Sequence, residues 1–295
     1  MKIEKKFWKN KKILITGHTG FKGSWLSRWL IELNAKVIGI SKNIPTKPSN
    51  YELQKNFYLK EYFFDICETQ KLYEICKKYK PDIIFHLAAQ SLVQTSLKNP
   101  HETFHSNTLG TLSVLEVLKK IKYSLNVIFI TSDKVYENFE WKWGYRENDI
   151  LGGKDPYSIS KSFAEKLINN YFENYIKNKT NIKIAIARAG NVIGGGDWSK
   201  NRIIPDCFRA FGKNQTVLIR NPKSTRPWQH VLEPLSGYLL LALKLSDNKE
   251  LNNEAFNFGP NNSNNFSVLD IITKIKKVYK KFKYKINKTK NDKEA

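Results

Sequence analysis

Two short segments of the chain carry side chains that can transfer protons. Asp133 and Lys134 are adjacent and directly follow Ser132, whereas Tyr157 and Lys161 are four residues apart. That spacing puts the phenol and the ammonium on one face of a helix, where the ammonium would lower the pKa of the phenol and favour its action as a base. A tyrosine and lysine pair suits the oxidation of a carbon that bears a hydroxyl. The neighbouring acid and base suit the removal of water next to that carbon.

A glycine-rich segment near the N-terminus has the spacing of a phosphate-binding loop. Gly17, Gly20 and Gly23 follow an apolar run at 12–16 and open a helical pattern at 21–33. The first glycine allows a tight turn, the second lets the backbone approach a pyrophosphate, and the third permits close packing of helix on strand. The segment therefore predicts a dinucleotide site. Three neighbouring residues are further candidate contacts for the cofactor: His18, Phe21 and Lys22.

The apolar pattern of the chain predicts the elements that position these residues. Six apolar runs predict strands, at 12–16, 35–40, 62–66, 82–88, 126–131 and 182–187. Helical patterns alternate with these strands, and near-continuous apolar strands favour a parallel sheet that is covered on both faces. We therefore expect an α/β fold with a doubly wound parallel sheet, in which ligands bind at the carboxyl ends of the strands. Candidate cofactor contacts at the third and fourth strand ends are Asp65, Ile66, Leu87, Ala88 and Ala89.

The end of the second predicted strand bears on the choice of cofactor. An acidic residue usually holds the adenosine ribose at this place, but here Ile40 is followed by Ser41, Lys42 and Asn43. Without a carboxylate the ribose would be held less tightly, or Lys42 would favour a phosphorylated ribose. We predict NAD as the cofactor, with NADP as the open alternative.

The composition is that of a globular protein. The chain has 295 residues, 41% hydrophobic content and a net charge of +23. Its basic residues are spread from end to end instead of forming one stripe, which argues against a nucleic-acid partner. Apolar stretches stay shorter than about 18 residues, and the N-terminus lacks the pattern of a signal peptide, so no membrane association is expected. The three cysteines, Cys67, Cys76 and Cys207, lack metal-ligand spacing, which predicts no metal and a reducing cytoplasm.

Arginine is distributed differently from lysine. Only seven of the fifty basic residues are arginines, and five of these lie between 188 and 226. A planar guanidinium matches paired phosphate oxygens, so a cluster of arginines favours an anionic ligand. The members of this cluster are Arg188, Arg202, Arg209, Arg220 and Arg226.

The change of composition after residue 187 predicts two parts of unequal size. Residues 1–187 are expected to form a Rossmann domain that binds the dinucleotide, with 230–259 returning to it. Residues 188–229 and 260–295 are expected to form a smaller substrate-binding lobe. Within the returning segment, the pattern predicts a helix at 234–245 and a short strand at 256–259.

Four segments of the chain resemble the extended short-chain dehydrogenase/reductases, and among them the nucleotide-sugar 4,6-dehydratases. These segments are 16–26, 131–136, 188–198 and 226–231. In the dTDP-glucose and GDP-mannose dehydratases an acidic residue stands where this chain has Lys134. Sugar epimerases of the same fold carry small residues at the Asp133 and Lys134 positions. The lysine therefore implies the branch of the group that acts on CDP-glucose.

The resemblance implies a role for each of the residues that opened this subsection. Tyr157, assisted by Lys161 and Ser132, would take the proton of the sugar 4-hydroxyl while hydride passes to NAD. Lys134 would then remove the proton on carbon 5, and Asp133 would protonate the departing 6-hydroxyl. A lysine base must be neutral, whereas a neighbouring carboxylate stabilises the ammonium. The two roles are therefore interchangeable at this stage.

The resemblance also implies contacts with the substrate and properties of the whole molecule. Candidate substrate contacts are Gln90, Ser91, Asn191, Arg202, Arg220, Arg226 and His230. The members of the group are dimers or tetramers and serve deoxysugar synthesis, as in lipopolysaccharide O antigen. They also continue beyond the position of Ala295, so an incomplete substrate lobe is expected. The alternatives are another dehydratase or epimerase of the same fold, or a non-catalytic protein that binds NAD.

Overall fold

The structure is a computed structural model that describes residues 4–260 and 266–287. The strands are β1 Lys12–Thr16, β2 Lys36–Ser41, β3 Lys60–Phe63, β4 Ile83–His86, β5 Leu125–Ile130, β6 Ile182–Ala189, β7 Val192–Ile193, β8 Thr216–Ile219, β9 Thr225–Arg226, β10 Gln229–His230, β11 Ala255–Phe258, β12 Phe266–Ser267 and β13 Lys283–Ile286. The helices are α1 Lys5–Trp8, α2 Phe21–Glu32, α3 Thr69–Tyr79, α4 Val93–Lys98, α5 Pro100–Phe104, α6 Gly110–Lys120, α7 Pro156–Tyr171, α8 Ile203–Gly212, α9 Leu232–Asp247 and α10 Val268–Val278.

Seven strands form one parallel sheet in the order β11-β6-β5-β4-β1-β2-β3. Alternate residues of the central strands enter opposite cores, because successive side chains of a strand point to opposite faces. In β1, Leu14 belongs to the core beneath α3, α6 and α7, whereas Ile13 and Ile15 belong to the core beneath α2 and α9. This arrangement confirms the predicted doubly wound α/β fold, and the sheet gains a seventh strand from β11.

The third strand is shifted from its predicted position. The apolar run at 62–66 predicted a strand there, but β3 spans Lys60–Phe63 and lies at the edge of the sheet. Phe64 and Ile66 leave the sheet and enter the core beneath α3 and α6. Asp65 turns the chain between them by accepting a hydrogen bond from the Cys67 N–H at 3.0 Å. The apolar run therefore indicated which residues are buried, but it did not indicate which residues pair in the strand.

The chain after β6 builds the edge of the sheet and a smaller cluster of elements. The helix predicted at 234–245 is α9, which packs on β5 and β6, and the strand predicted at 256–259 is β11, which pairs with β6. A separate small core forms among α8, β8, α10 and β13, with Cys207, Ile219 and Phe282 fully buried. The predicted second lobe also includes 261–265 and 288–295, which lie outside the described residues. None of the helices in the described ranges is long and apolar enough to span a membrane.

Candidate active site

The segment from β1 into α2 has no space for a side chain at Gly17 or at Gly23. Gly17 has a φ of +76°, and a Cβ there would lie 2.8 Å from the backbone nitrogen of Ala88. A Cβ on Gly23 would lie 2.1 Å from the carbonyl oxygen of Gly17. Gly20 precedes α2, so the free N–H groups of the first helical turn point towards the loop. A bare backbone at a helix N-terminus suits a pyrophosphate, which fits a dinucleotide.

One large cleft runs along the carboxyl ends of the sheet strands, with a volume of 1680 Å³. It brings together residues from the glycine loop, the strand ends, α7 and the segment after β6. The predicted site residues that line it are Gly17, Gly20, Phe21, Lys22, Gly23, Asp65, Ile66, Leu87, Ala88, Ala89, Gln90, Ser91, Ser132, Asp133, Lys134, Tyr157, Lys161, Asn191, Arg202, Arg220 and Arg226.

His18 stands in the glycine loop, but its side chain does not line the cleft. The ring is fully buried and hydrogen-bonded to Ser41 Oγ and to Glu61 Oε1, each at 2.9 Å. It packs flat against Gly39, where a Cβ would lie 2.5 Å from the ring. Burial lowers the pKa of His18. The imidazole therefore ties the loop to β2 and β3, which departs from the predicted cofactor contact and leaves only the backbone for that role.

Tyr157 and Lys161 are positioned by the first two turns of α7. The Asp155 carboxylate caps the helix by accepting hydrogen bonds from the Tyr157 and Ser158 N–H groups, both at 3.0 Å. One turn further, Lys161 Nζ donates to the Ile130 carbonyl at the end of β5, at 3.2 Å. Both side chains are buried, as the predicted helix face requires. The cap and the strand end together fix the pair against the cleft.

Burial dominates the protonation of this pair. It raises the pKa of Tyr157 to about 12, although a hydrogen bond with Ser132 acts in the opposite direction. It lowers the pKa of Lys161 to about 8, against the charge of Glu165. The sequence predicted a lowered phenol pKa, and this expectation is wrong for the protein alone, because the buried phenolate loses more hydration than neighbouring cations replace. Arg202 is the nearby cation that lowers the pKa of Tyr157.

Ser132 joins the two proton-transferring pairs. Its hydroxyl caps the short 3₁₀ segment Asp133–Val135 by accepting a hydrogen bond from the Lys134 N–H at 3.2 Å. It also donates to Asp133 Oδ1 at 3.1 Å, and it lines the cleft together with Tyr157. Asp133 Oδ2 lies so close to Gly190 that a Cβ there would be 2.5 Å from it. The carboxylate is therefore held between the turn and the end of β6.

Lys22 adds a further charge beside these groups. It follows Phe21 at the start of α2 and lines the cleft. Burial lowers the pKa of Lys22 to about 8, and the charges of Arg202 and Lys161 act in the same direction while Asp133 opposes them. The glycine loop thus places a lysine within electrostatic reach of the candidate acid.

Three of the predicted substrate contacts have side chains that are already engaged by the protein. Arg202 donates to Asp197 Oδ2 at 3.1 Å and to Ser91 Oγ at 3.2 Å across the cleft. The Gln90 amide bonds Thr103 Oγ1 at 2.9 Å and both the N–H and the carbonyl of Leu92. Gln90 therefore shapes its own loop. Asn191, Arg220 and Arg226 also line the cleft, and their contact with the substrate stays a prediction.

His230 lies outside the cleft, which departs from its predicted contact with the substrate. It is exposed and makes an edge contact with the ring of Trp25. Side chains alternate along a strand, and in β10 it is Gln229 that points inward. The imidazole at 230 consequently faces solvent.

The predicted arginine cluster divides into two groups. Arg188 is 4% exposed and donates to both carboxylate oxygens of Glu165 at 3.0 Å, so it is not available to a ligand. Arg209 lines the cleft, but it donates to the Trp198 carbonyl at 2.7 Å and to the Ser199 carbonyl at 2.9 Å. Only part of the cluster therefore matches the prediction of an anionic ligand.

Two supporting residues were missed in the sequence. Glu165 follows Lys161 by four residues, so the helical spacing was a usable signal. Asn107 donates to the Gln90 carbonyl at 3.0 Å and to Ser160 Oγ at 2.9 Å from the π-helical segment His105–Leu109. No sequence pattern announces such a segment, because a π-helix is a local exception within a helical pattern.

The chain belongs to the NAD dependent epimerase/dehydratase family, whose model matches residues 13–259. It is 48% identical over 279 residues to the CDP-glucose 4,6-dehydratase of Salmonella typhimurium, which covers 92% of this chain and 77% of that relative. The epimerase Mth375 of Methanothermobacter thermautotrophicus superposes with a TM-score of 0.83 at 26% identity, over 96% of this chain and 81% of the other. The UDP-glucuronic acid 4-epimerase of Bacillus cereus superposes with a TM-score of 0.80 at 25% identity, over 94% and 86%. As a member of this family, the protein uses NAD as its cofactor.

Proposed function

We propose that this protein is an NAD-dependent hydro-lyase that converts CDP-D-glucose to CDP-4-keto-6-deoxy-D-glucose and water. The observation that carries the proposal is that Asp133 and Lys134, held by the Ser132 hydroxyl, line the same cleft as Tyr157. Oxidation at one sugar carbon and elimination at its neighbours require these two pairs to face one substrate. The 48% identity to a CDP-glucose 4,6-dehydratase supports the same substrate.

The proposed oxidation uses Tyr157 as the base for the sugar 4-hydroxyl. NAD, when bound, would supply a hydride acceptor for carbon 4 and a hydride donor for carbon 6. The base of the Asp133 and Lys134 pair would return a proton to carbon 5 as carbon 6 is reduced. The phenol must lose its proton first, and burial opposes this by raising its pKa to about 12. Ser132 and Arg202 both lower the pKa of the phenol. Lys161 is the second member of the pair, and its Nζ is held by the Ile130 carbonyl.

The proposed elimination breaks the carbon 5 to hydrogen bond and the carbon 6 to oxygen bond. The ketone on carbon 4 acidifies the proton of carbon 5, which passes to one member of the Asp133 and Lys134 pair. The other member gives a proton to the leaving hydroxyl, which departs as water. We assign the base to Lys134 and the acid to Asp133. The reverse assignment uses the same two positions and balances equally.

The arginines that line the cleft are the proposed contacts for the CDP diphosphate. Arg202 bridges Ser91 and Asp197 across the cleft, and Arg220 and Arg226 line the same cleft. A guanidinium can meet two phosphate oxygens at once. We place the sugar near Asn191 and divide the chain as predicted, with 1–187 and 230–259 holding NAD and the remainder holding CDP.

We infer a homo-oligomer that acts in the cytoplasm and supplies deoxysugars for a cell-surface polysaccharide such as O antigen. Exposed apolar side chains support self-association: Leu109 is 47% exposed and Phe163, on α7, is 43% exposed. Sedimentation velocity of the purified chain tests this, since a monomer at micromolar concentration would contradict the inference.

The decisive experiment is incubation with NAD and CDP-glucose. We expect a 4-ketone that absorbs in alkali and, in heavy water, one solvent deuterium on carbon 5. Tyr157→Phe is the matched control, because it removes only the phenol oxygen. An epimer without loss of water would instead indicate an epimerase, and binding without any product would indicate a non-catalytic protein. Parallel incubations with UDP-glucose and dTDP-glucose test the choice of nucleotide.

A further inference from the structure

A three-residue ion bridge lies across one end of the cleft. Lys42, the first residue after β2, has its Nζ 3.0 Å from Asp65 Oδ2 and 2.9 Å from Glu102 Oε1. Asp65 follows β3 and Glu102 lies on α5, so the bridge joins three elements. All three residues line the cleft. The end of β2 is where the adenosine ribose of a dinucleotide binds in a sheet of this kind.

The charges of the bridge do not cancel. One ammonium faces two carboxylates, which leaves a net charge of −1. Hydrogen bonds to Glu102 and then to Asp65 raise the pKa of Lys42, so the amine stays charged. Burial raises the pKa of Asp65, but the Cys67 N–H and the Lys42 ammonium together hold it below its usual value. The bridge therefore keeps this charge at neutral pH.

A phosphorylated ribose needs a free cation, and this bridge leaves none at Lys42. A phosphomonoester carries about −1.5 to −2 charges at neutral pH. It would have to displace Glu102 from Lys42 and also approach the carboxylate of Asp65. A 2′-hydroxyl carries no charge and meets neither obstacle. No carboxylate directly follows β2 in this chain. Lys42 alone would make this end of the cleft positive, but the two acids that bind it make it negative.

We propose that Glu102 is a residue that determines cofactor specificity, excluding NADP by occupying Lys42. This proposal rests on the assignment of the cleft to a dinucleotide. Glu102 contributes no bond to the cofactor and acts through the lysine, so its removal leaves Lys42 free to bind a 2′-phosphate. The glutamate lies 60 residues from Lys42 in the sequence, on a different element.

The test is a calorimetric titration of the purified chain with NAD and with NADP in the absence of nucleotide sugar. We expect the native chain to favour NAD and Glu102→Gln to bind NADP about fivefold more tightly than the native chain does, because pairs between exposed charges are weak. Glu173→Gln is the matched control, because Glu173 pairs with Lys177 on the surface and does not line the cleft. Circular dichroism and thermal unfolding check that both variants are folded.

The double variant Lys42→Ala/Glu102→Gln separates this proposal from a general effect of charge. If the freed lysine binds the phosphate, the gain in NADP affinity disappears in the double variant. The proposal is overturned if Glu102→Gln binds NADP no better than Glu173→Gln, or if the gain survives the loss of Lys42. A protein that shows the expected shift but does not dehydrate CDP-glucose would contradict the proposed function and leave the specificity result standing.

Discussion

Glu165 lies one helical turn beyond Lys161 on α7 and is bound from the neighbouring β6 by Arg188. Both residues are almost completely buried, and the Arg188 Nε donates to the two carboxylate oxygens at 3.0 Å. Arg188 also donates to Tyr136 Oη at 2.7 Å. The charge of Glu165 raises the pKa of Lys161. The ion pair therefore fixes the position of a charge that acts on Lys161.

Removal of one partner of this pair should destabilise the whole domain. Glu165→Leu leaves the Arg188 guanidinium buried without its counter-charge, and we expect the free energy of unfolding to fall by about 3–5 kcal/mol. Urea denaturation, monitored by circular dichroism, measures the change in the free energy of unfolding. The double variant Glu165→Leu/Arg188→Met should recover much of the loss, because it removes the unpaired charge. If Glu165→Leu were as stable as the native chain, the buried ion pair would not contribute to the free energy of unfolding.

Lys134→Ala should separate oxidation from dehydration. Loss of a general acid or base slows a step by about 10²–10⁴-fold, whereas Tyr157, Ser132 and Lys161 are unchanged. When CDP-glucose is added, we expect reduced cofactor to accumulate, measured by its absorbance at 340 nm, with little 4-keto-6-deoxy product. Lys77→Ala, on the exposed face of α3, is the control for loss of a lysine. Full turnover by Lys134→Ala would refute the role of this residue.

Gly17→Ala should weaken the binding of NAD. The substitution meets a φ of +76° and a backbone nitrogen of Ala88 only 2.8 Å from the new Cβ. Such strain costs about 1–3 kcal/mol, or about 5–150-fold in the dissociation constant when binding requires the native loop. Gly195→Ala is the matched control, since no atom lies within 4 Å of its Cβ position. Equal affinities of the two variants for NAD, measured by calorimetry, would contradict the close approach.

Stability in acid should depend on His86. Burial, followed by the charge of Lys161, lowers the pKa of His86 from 6.5 to about 3. Below pH 6.5 the unfolded chain takes up a proton that the folded protein does not, so this contribution to stability is full above pH 6.5 and is lost as the pH falls towards 3.

His86→Gln isolates that contribution. Between pH 6 and pH 4, we expect the free energy of unfolding of the variant to fall less steeply than that of the native chain, by about 1.4 kcal/mol per pH unit. His101→Gln, on the exposed surface, is the control for loss of a histidine. Denaturation by urea at a series of pH values measures all three slopes. An unchanged slope in His86→Gln would mean that the histidine is protonated in the folded protein.

Local features of the sequence were sufficient to predict the sheet and the helix face that carries Tyr157 and Lys161. Apolar runs such as Ile13 to Ile15 identify buried parallel strands, because their side chains enter cores on both faces. The spacing of Gly17, Gly20 and Gly23 identifies the phosphate loop, and the four-residue spacing of Tyr157 and Lys161 identifies one helix face. Each of these inferences depends on atoms a few residues apart, where backbone geometry fixes the distance.

Pairing between distant segments decided the rest. Arg188 and Arg202 have identical side chains, but β6 directs the first into Glu165 and the segment before α8 directs the second across the cleft. The sequence also predicted a lowered phenol pKa, and only the buried surroundings of Tyr157 reverse that direction. The sequence alone therefore determined which chemistry the chain can carry. The tertiary structure decided which charges face the cleft, because burial and contacts between remote elements depend on how the elements pack.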